Sequence, residues 1–293
     1  MFKYIFILCL IFSNLLVCKD DLSKLLKHQI KNINLKRNSN KYVIGPWPGG
    51  LGVNIHSVLN HLVHCELNNK IPVVYWGSNS FYYNSTGFNG ARNVWEYYFE
   101  PTSNLTYHAS DRIHSFQEKD FGKFSYYDTS QEKRDKANEL FKKYIKIKPV
   151  IEHKVDQFYD LQMAGKKTIG IHLRGTDKVT ENKLVTPETI IEEALKYADE
   201  ETQFLIASDE QKLLNKMIEL LNGKKVIYYE CYRSQDGSPL HIHRGKPSYA
   251  QLGEDVIVEM SLLARCDMFI RTLSSISAIV LYLNPKLNYV LLT

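Results

Sequence analysis

Short apolar runs alternate with longer amphipathic stretches along most of this chain. "KYVIG" (41–45) reads as a buried strand, and the Pro- and Gly-rich "PWPGGLG" (46–52) as a loop. Ile55, Leu59, Leu62, Val63 and Leu67 then fall near helical spacing, and "IPVVYWG" (71–77) reads as the next strand. Residues 78–130 are aromatic without clear periodicity and predict long loops and short helices. Residues 131–165 predict helix with a break at Pro149. From 168 the alternation is regular. Strands are expected at 168–173, 203–208, 224–230, 267–271 and 289–293. Helices are expected from Thr186-Pro187, over about 210–221, and over 252–266 and 273–284. This alternation predicts an α/β protein with parallel sheets in two Rossmann-like halves. The division is placed at 41–165 for an N-terminal half and 166–293 for a C-terminal half.

The leading residues break the pattern. After Lys3, residues 4–18 ("YIFILCLIFSNLLVC") are apolar. A membrane span needs about 20 such residues, so 1–18 reads as a signal peptide or short anchor and 19–40 as a polar linker. "LLVC" also has a weak likeness to a lipoprotein signal. The expectation is the secretory route, with attachment to a membrane through the N-terminus left open. The net charge is +5 and the lysines are scattered, which argues against a nucleic-acid surface and fits a basic cleft for an anionic ligand equally well. Cys65, Cys231 and Cys266 have no metal-ligand spacing. Cys65 and Cys266 fall within expected apolar helices and read as buried thiols.

In an open parallel sheet, ligands sit at the carboxyl ends of strands. Four polar stretches share that edge: the loop from Gly49 to Asn54, "HLRGTDKVTE" (172–181), "SDE" (208–210) and "RTLSS" (271–275). Each has an ordinary structural explanation. Gly50 and Gly52 suit a turn, Asp209 and Glu210 suit the first turn of a helix, and Thr272, Ser274 and Ser275 suit a helix cap. His56 suits a packed core histidine. The same residues also suit phosphate binding, since glycines admit close backbone approach and helix N-termini favour anions. No D-x-D triplet occurs, so the acidic pair that would hold a divalent metal on a nucleotide sugar is missing.

In combination and in order, these stretches resemble the α1,6-fucosyltransferases, the family of the enzymes of N-glycan core fucosylation and rhizobial nodulation. "IGIHLRGTDKVTE" resembles its signature strand followed by His-x-Arg-Arg-x-Asp-Lys. "GGLGVNIHSVLNHLVHCELNNKIPVVYWG" resembles its glycine loop, helix and strand, and "FLIASDE" its second strand. "DVIVEMSLLARCDMFIRTLSSISAIVLYL" is similar to the region ending in Thr-x-Ser-Ser. The likeness covers about residues 45–77 and 168–284.

The resemblance implies a GT-B-like fold and an inverting glycosyltransferase that needs no metal or other cofactor, with GDP-fucose as donor and a glycan as acceptor. It implies that Arg174 holds the donor phosphates. His172 and Asp177 match fixed positions of the signature. Lys178 and Glu181 match a pair that moves the acceptor's proton. Asp209 and Glu210 match acids near the donor, Glu259 an acid on guanine, and Ser275 a serine at the pyrophosphate. Gly50, Gly52, Asn54, Thr272 and Ser274 complete the expected donor site. The resemblance makes the N-terminal half the acceptor side and the C-terminal half the donor side. Three positions depart from the family pattern: Gly175 replaces a second arginine, Ile276 a glutamine after the serine pair, and Glu259 an aspartate, while the spacing from Lys178 to Glu181 is one residue shorter than in the core-fucosylating enzymes. Three alternatives share these features: another nucleotide-sugar donor, a peptide acceptor, or a glycan- or nucleotide-binding protein without catalysis.

Overall fold

The computed structural model describes residues 23, 24, 27, 40–115, 124–175, 185–238, 240 and 247–293. The expected leader, residues 1–18, lies outside the described residues. Among the described residues no helix is long and apolar enough to cross a membrane.

Among the described residues two parallel sheets form the framework. The first contains β1 (Lys41–Ile44), β2 (Ile71–Val74) and β3 (Ile113–His114), in the order β2-β1-β3. The second contains β4 (Thr168–His172), β5 (Gln203–Ala207), β6 (Lys225–Ile227), β7 (Met268–Thr272) and β8 (Asn288–Leu292), in the order β6-β5-β4-β7-β8. The chain moves outward from β4 through β5 to β6, then returns to the other side of β4 for β7. The strand order therefore reverses between β4 and β7, which is where an open α/β sheet leaves a crevice.

Helix α1 (Leu51–Leu67) joins β1 to β2. Helices α2 (Gln131–Tyr144) and α3 (Pro149–Phe158) precede the second sheet, with Pro149 at the start of α3, as its fixed φ and missing N–H favour. Helices α4 (Pro187–Leu195) and α5 (Gln211–Leu220) cover one face of the large sheet around Ile171, Ile206 and Ile270. Helices α6 (Tyr249–Leu263) and α7 (Ser275–Leu283) cover the other face. Helices α1 and α2 pack on α7, and α3 packs on α6. One apolar core, with Ile55, Leu62, Phe141, Leu262 and Ile279 buried, thus runs through the helices between the sheets.

Two expectations need correction. Strand β3 was expected as loop: it is two residues long and carries no period of its own, and its pairing of Val43 with Ile113 is long-range. Strand β6 ends at Ile227, short of the expected 230, because the chain turns inward and Tyr229 packs against Phe158 with ring centroids 6.0 Å apart. Among the described residues the aromatic stretch is largely irregular, as expected, with a short 3-10 helix at Val94–Tyr97. Its Trp95, Tyr97, Tyr98 and Phe99 are fully buried, as is Trp76 just before it, which meets Trp95 edge-to-face at 5.1 Å. These rings bury the apolar area that a crossover helix would otherwise supply. Cys65 and Cys266 are buried free thiols.

Candidate active site

The crevice beside β4 and β7 opens into a cleft of about 360 Å³. The strand ends build it from below. β4 terminates at His172, and Arg174 follows two residues later, with both side chains on the cleft. Asp209, just past β5, holds this segment in place. Its Oδ1 accepts the Gly175 N–H at 2.9 Å, and its Oδ2 lies 3.7 Å from the Arg174 Nε. A charged acceptor on both sides of one turn restricts where the guanidinium can point. Gly175 has a packing reason. A Cβ there would sit 2.5 Å from Glu210 Oε2 and would also strike Leu213 on α5. The second arginine of the family signature would require those side chains to move.

Two helix N-termini close the cleft from above. Helix α7 is capped by Ser274, whose Oγ accepts the Ser277 N–H at 3.0 Å, and Ser275 lies on the cleft wall. Helix α1 starts at Gly50 with no side-chain cap. The Leu51 N–H instead donates to the Tyr82 hydroxyl at 2.9 Å. Gly52 permits the two ends to meet, since an added Cβ would lie 2.8 Å from the Ser275 Cβ and 3.1 Å from the Ile276 nitrogen. Both macrodipoles therefore present their positive ends to one cleft, which Arg174 also enters.

Farther along lies an acidic recess. Glu259 on α6 accepts Arg233 Nη2 at 2.7 Å and the Cys231 thiol at 3.5 Å, both at Oε1. Arg233 is almost fully buried and also donates to the carbonyls of Tyr229 and Cys231. Burial raises the Glu259 carboxyl to about 7, against the pull of Arg233. Asp255, one turn earlier and also on the cleft, is raised by burial to about 6. His172 is pushed down to about 3 by burial, then by Arg174 and Arg271, so its imidazole is neutral at physiological pH. His56 is a core histidine, neutral for the same reason, and its Nε2–H donates to the Ser275 carbonyl at 3.3 Å.

The structure thus brings Gly50, Gly52, His172, Arg174, Asp209, Glu259 and Ser275 together on the cleft. Four expected donor residues support its walls instead. Asn54 spends its carboxamide on the loop, accepting the Trp47 N–H at 2.7 Å and donating to the carbonyls of Trp47, Gly49 and Gly50. Ser274 is a helix cap, Thr272 Oγ1 donates to the His172 carbonyl at 3.4 Å, and Glu210 precedes α5 beneath Gly175. Asp177, Lys178 and Glu181 lie outside the described residues. Arg233 was missed by sequence reasoning. Its signal was its place beyond β6, at the same carboxyl edge as the other four stretches.

The chain matches no described protein family by sequence, and no curated protein matches it. Solved structures do. Fucosyltransferase NodZ from Bradyrhizobium aligns at a TM-score of 0.52 with 16% identity, over 85% of this chain and 92% of NodZ. POFUT1 in complex with GDP aligns at 0.50 with 10% identity, over 86% and 98%. A variant of Arabidopsis thaliana FUT1 in complex with GDP also aligns at 0.50, with 12% identity, over 86% and 70%.

The fold is that of these fucosyltransferases.

The GT-B-like architecture expected from the motifs is therefore the observed one. Within the fucosyltransferase fold, the carboxyl edge of the large sheet carries Arg174 and the N-terminus of α7, while the small sheet contributes the N-terminus of α1.

Proposed function

We propose that this protein is an inverting glycosyltransferase that transfers fucose from GDP-fucose to a GlcNAc-type hydroxyl of a glycan or chito-oligosaccharide. One observation carries the reading: the N-terminus of α1, the N-terminus of α7 and Arg174 converge on one cleft at the switch point of a fucosyltransferase fold. The diphosphate sits among these groups. The guanidinium makes a forked contact with it, and the helix ends donate backbone N–H groups. Guanine enters the recess at α6, where Glu259 Oε2 accepts its N1–H and amino protons while Oε1 stays with Arg233.

In the transfer step the bond from fucose C1 to the β-phosphate oxygen breaks as the acceptor oxygen bonds to C1 from the opposite face. GDP leaves with the electron pair, and Arg174 and the helix ends stabilise its growing charge. Glu181, assisted by Lys178, takes the acceptor's proton, a role assigned through the family resemblance. The positive groups already at the cleft remove the need for a divalent metal at the diphosphate. The apolar run over residues 4–18, a signal peptide or short anchor in this reading, supports a secretory route.

A nucleotide-binding protein without catalysis is the second reading, and the missing arginine at Gly175 favours it. Its packing under Glu210 and Leu213 offers another reason for that glycine. Incubation with GDP-fucose in the presence of EDTA, with and without chito-oligosaccharides, decides between the readings. Acceptor-dependent release of GDP is the expected result. GDP-fucose binding without turnover for any glycan would support the second reading, and turnover of a different nucleotide sugar alone would reassign the donor.

A further inference from the structure

Arg271 is a costly side chain to bury. It lies next to the end of β7, fully buried, on the same face of the strand as the core residue Phe269. Its Nε, Nη1 and Nη2 are all buried and make no hydrogen bond among the described residues. No carboxylate there pairs with it. Its near neighbours are the Tyr289 ring, 5.6 Å from the guanidinium, and Tyr282. Arg134, a second cation, stands 5.2 Å from that same Tyr289 ring. An arginine buried without a counter-ion destabilises a fold, and an apolar residue of similar volume would stabilise it.

Its position suggests what offsets that cost. Arg271 pairs in register with His172, one strand away, and His172 lines the cleft. Neighbouring strands are about 5 Å apart. Four residues later comes Ser275, also on the cleft and at the start of α7. Behind the cleft wall, the low dielectric screens a charge far less than water does. We infer that Arg271 is an electrostatic positioning residue, a buried cation behind the cleft wall that attracts the donor's diphosphate without touching it. This rests on the proposed diphosphate site. The arginine adds to the field of Arg174 and the two helix ends, and its own lack of an acidic partner leaves that field uncancelled. Fold stability is given up for anion affinity.

The test is Arg271→Met, which keeps length and removes charge. Thermal midpoints of the free proteins are measured, with calorimetric affinities for guanosine, GMP, GDP and inorganic pyrophosphate. The variant is expected to fold with a midpoint at or above wild type. It should bind guanosine as wild type does, GMP more weakly, and GDP and pyrophosphate about 5- to 30-fold more weakly, the loss growing with ligand charge. A variant that fails to fold or melts lower makes Arg271 a structural requirement and overturns the inference. So does unchanged GDP affinity, or a guanosine loss as large as the GDP loss. Wild type that binds pyrophosphate but no GDP would sink the donor reading while leaving the charge dependence measurable, and wild type that binds neither overturns both.

Discussion

Gly52 and Ser275 are 223 residues apart in the chain, yet a Cβ on the first would stand 2.8 Å from the Cβ of the second. This approach lets the N-termini of α1 and α7 share one cleft. Gly52→Ala forces them apart, and because the Ile276 nitrogen is also only 3.1 Å from the added Cβ, side-chain rotation alone does not relieve it. Overpacking of this kind costs about 1–3 kcal/mol. We expect a lower denaturation midpoint and weaker GDP binding together. Wild-type GDP affinity in a stable Gly52→Ala protein would show that the helix ends need not meet.

Arg174 is expected to contact the diphosphate directly. Arg174→Ala should weaken GDP binding by about 1.5–3 kcal/mol, the range for a hydrogen bond to a charged group. Arg174→Lys should restore little, because an ammonium lacks the planar fork. Calorimetry on both variants checks this, and two wild-type affinities would remove Arg174 from the phosphate site.

Glu259 makes the recess sensitive to pH. Burial raises its carboxyl from 4.5 to about 7 in the folded protein. A raised folded value means that the fold prefers the neutral acid. The stability this contributes is complete below pH 4.5 and declines as pH rises through about 7. Asp255, raised from 3.8 to about 6, acts in the same direction at somewhat lower pH. Guanine binding runs the opposite way, because its N–H donors need the carboxylate. GDP affinity should therefore strengthen between pH 6 and 8 while the free protein loses stability. Glu259→Gln should flatten most of both trends, and a pH-independent GDP affinity in wild type would take the base out of this recess.

The proton acceptor is tested by turnover. Glu181→Gln keeps size and polarity, and transfer should fall about 10²–10⁴-fold with GDP-fucose affinity near that of wild type. A solvated Glu181 that only neutralises Lys178 predicts nearly unchanged turnover, since exposed pairs are worth about 0–1 kcal/mol. Glu210→Gln is the companion variant. An active Glu181→Gln beside an inactive Glu210→Gln would move the base to the end of β5.

Most of the fold was legible in the sequence because its elements declare themselves locally. The runs at 168–172 and 203–207 are wholly buried strands, with the capped helix α4 between them. Thr186 accepts the Thr189 N–H as its place before Pro187 suggested. The polar strand ends were legible for the same reason, and they marked Arg174, Asp209 and Ser275. Tertiary structure alone decided which of these face the cleft. Asn54 and Ser274 carry the right chemistry, but backbone groups within a few residues claim them. Glu259 meets Arg233 only because the segment after β6 folds against α6. Strand β3 exists only through β1, and Arg271 is unpaired only because the core closes around it. Local patterns set which element a residue joins, since they depend on neighbours a turn or a pleat away. What a polar side chain finally touches depends on packing between segments far apart in the chain, and no local pattern encodes that.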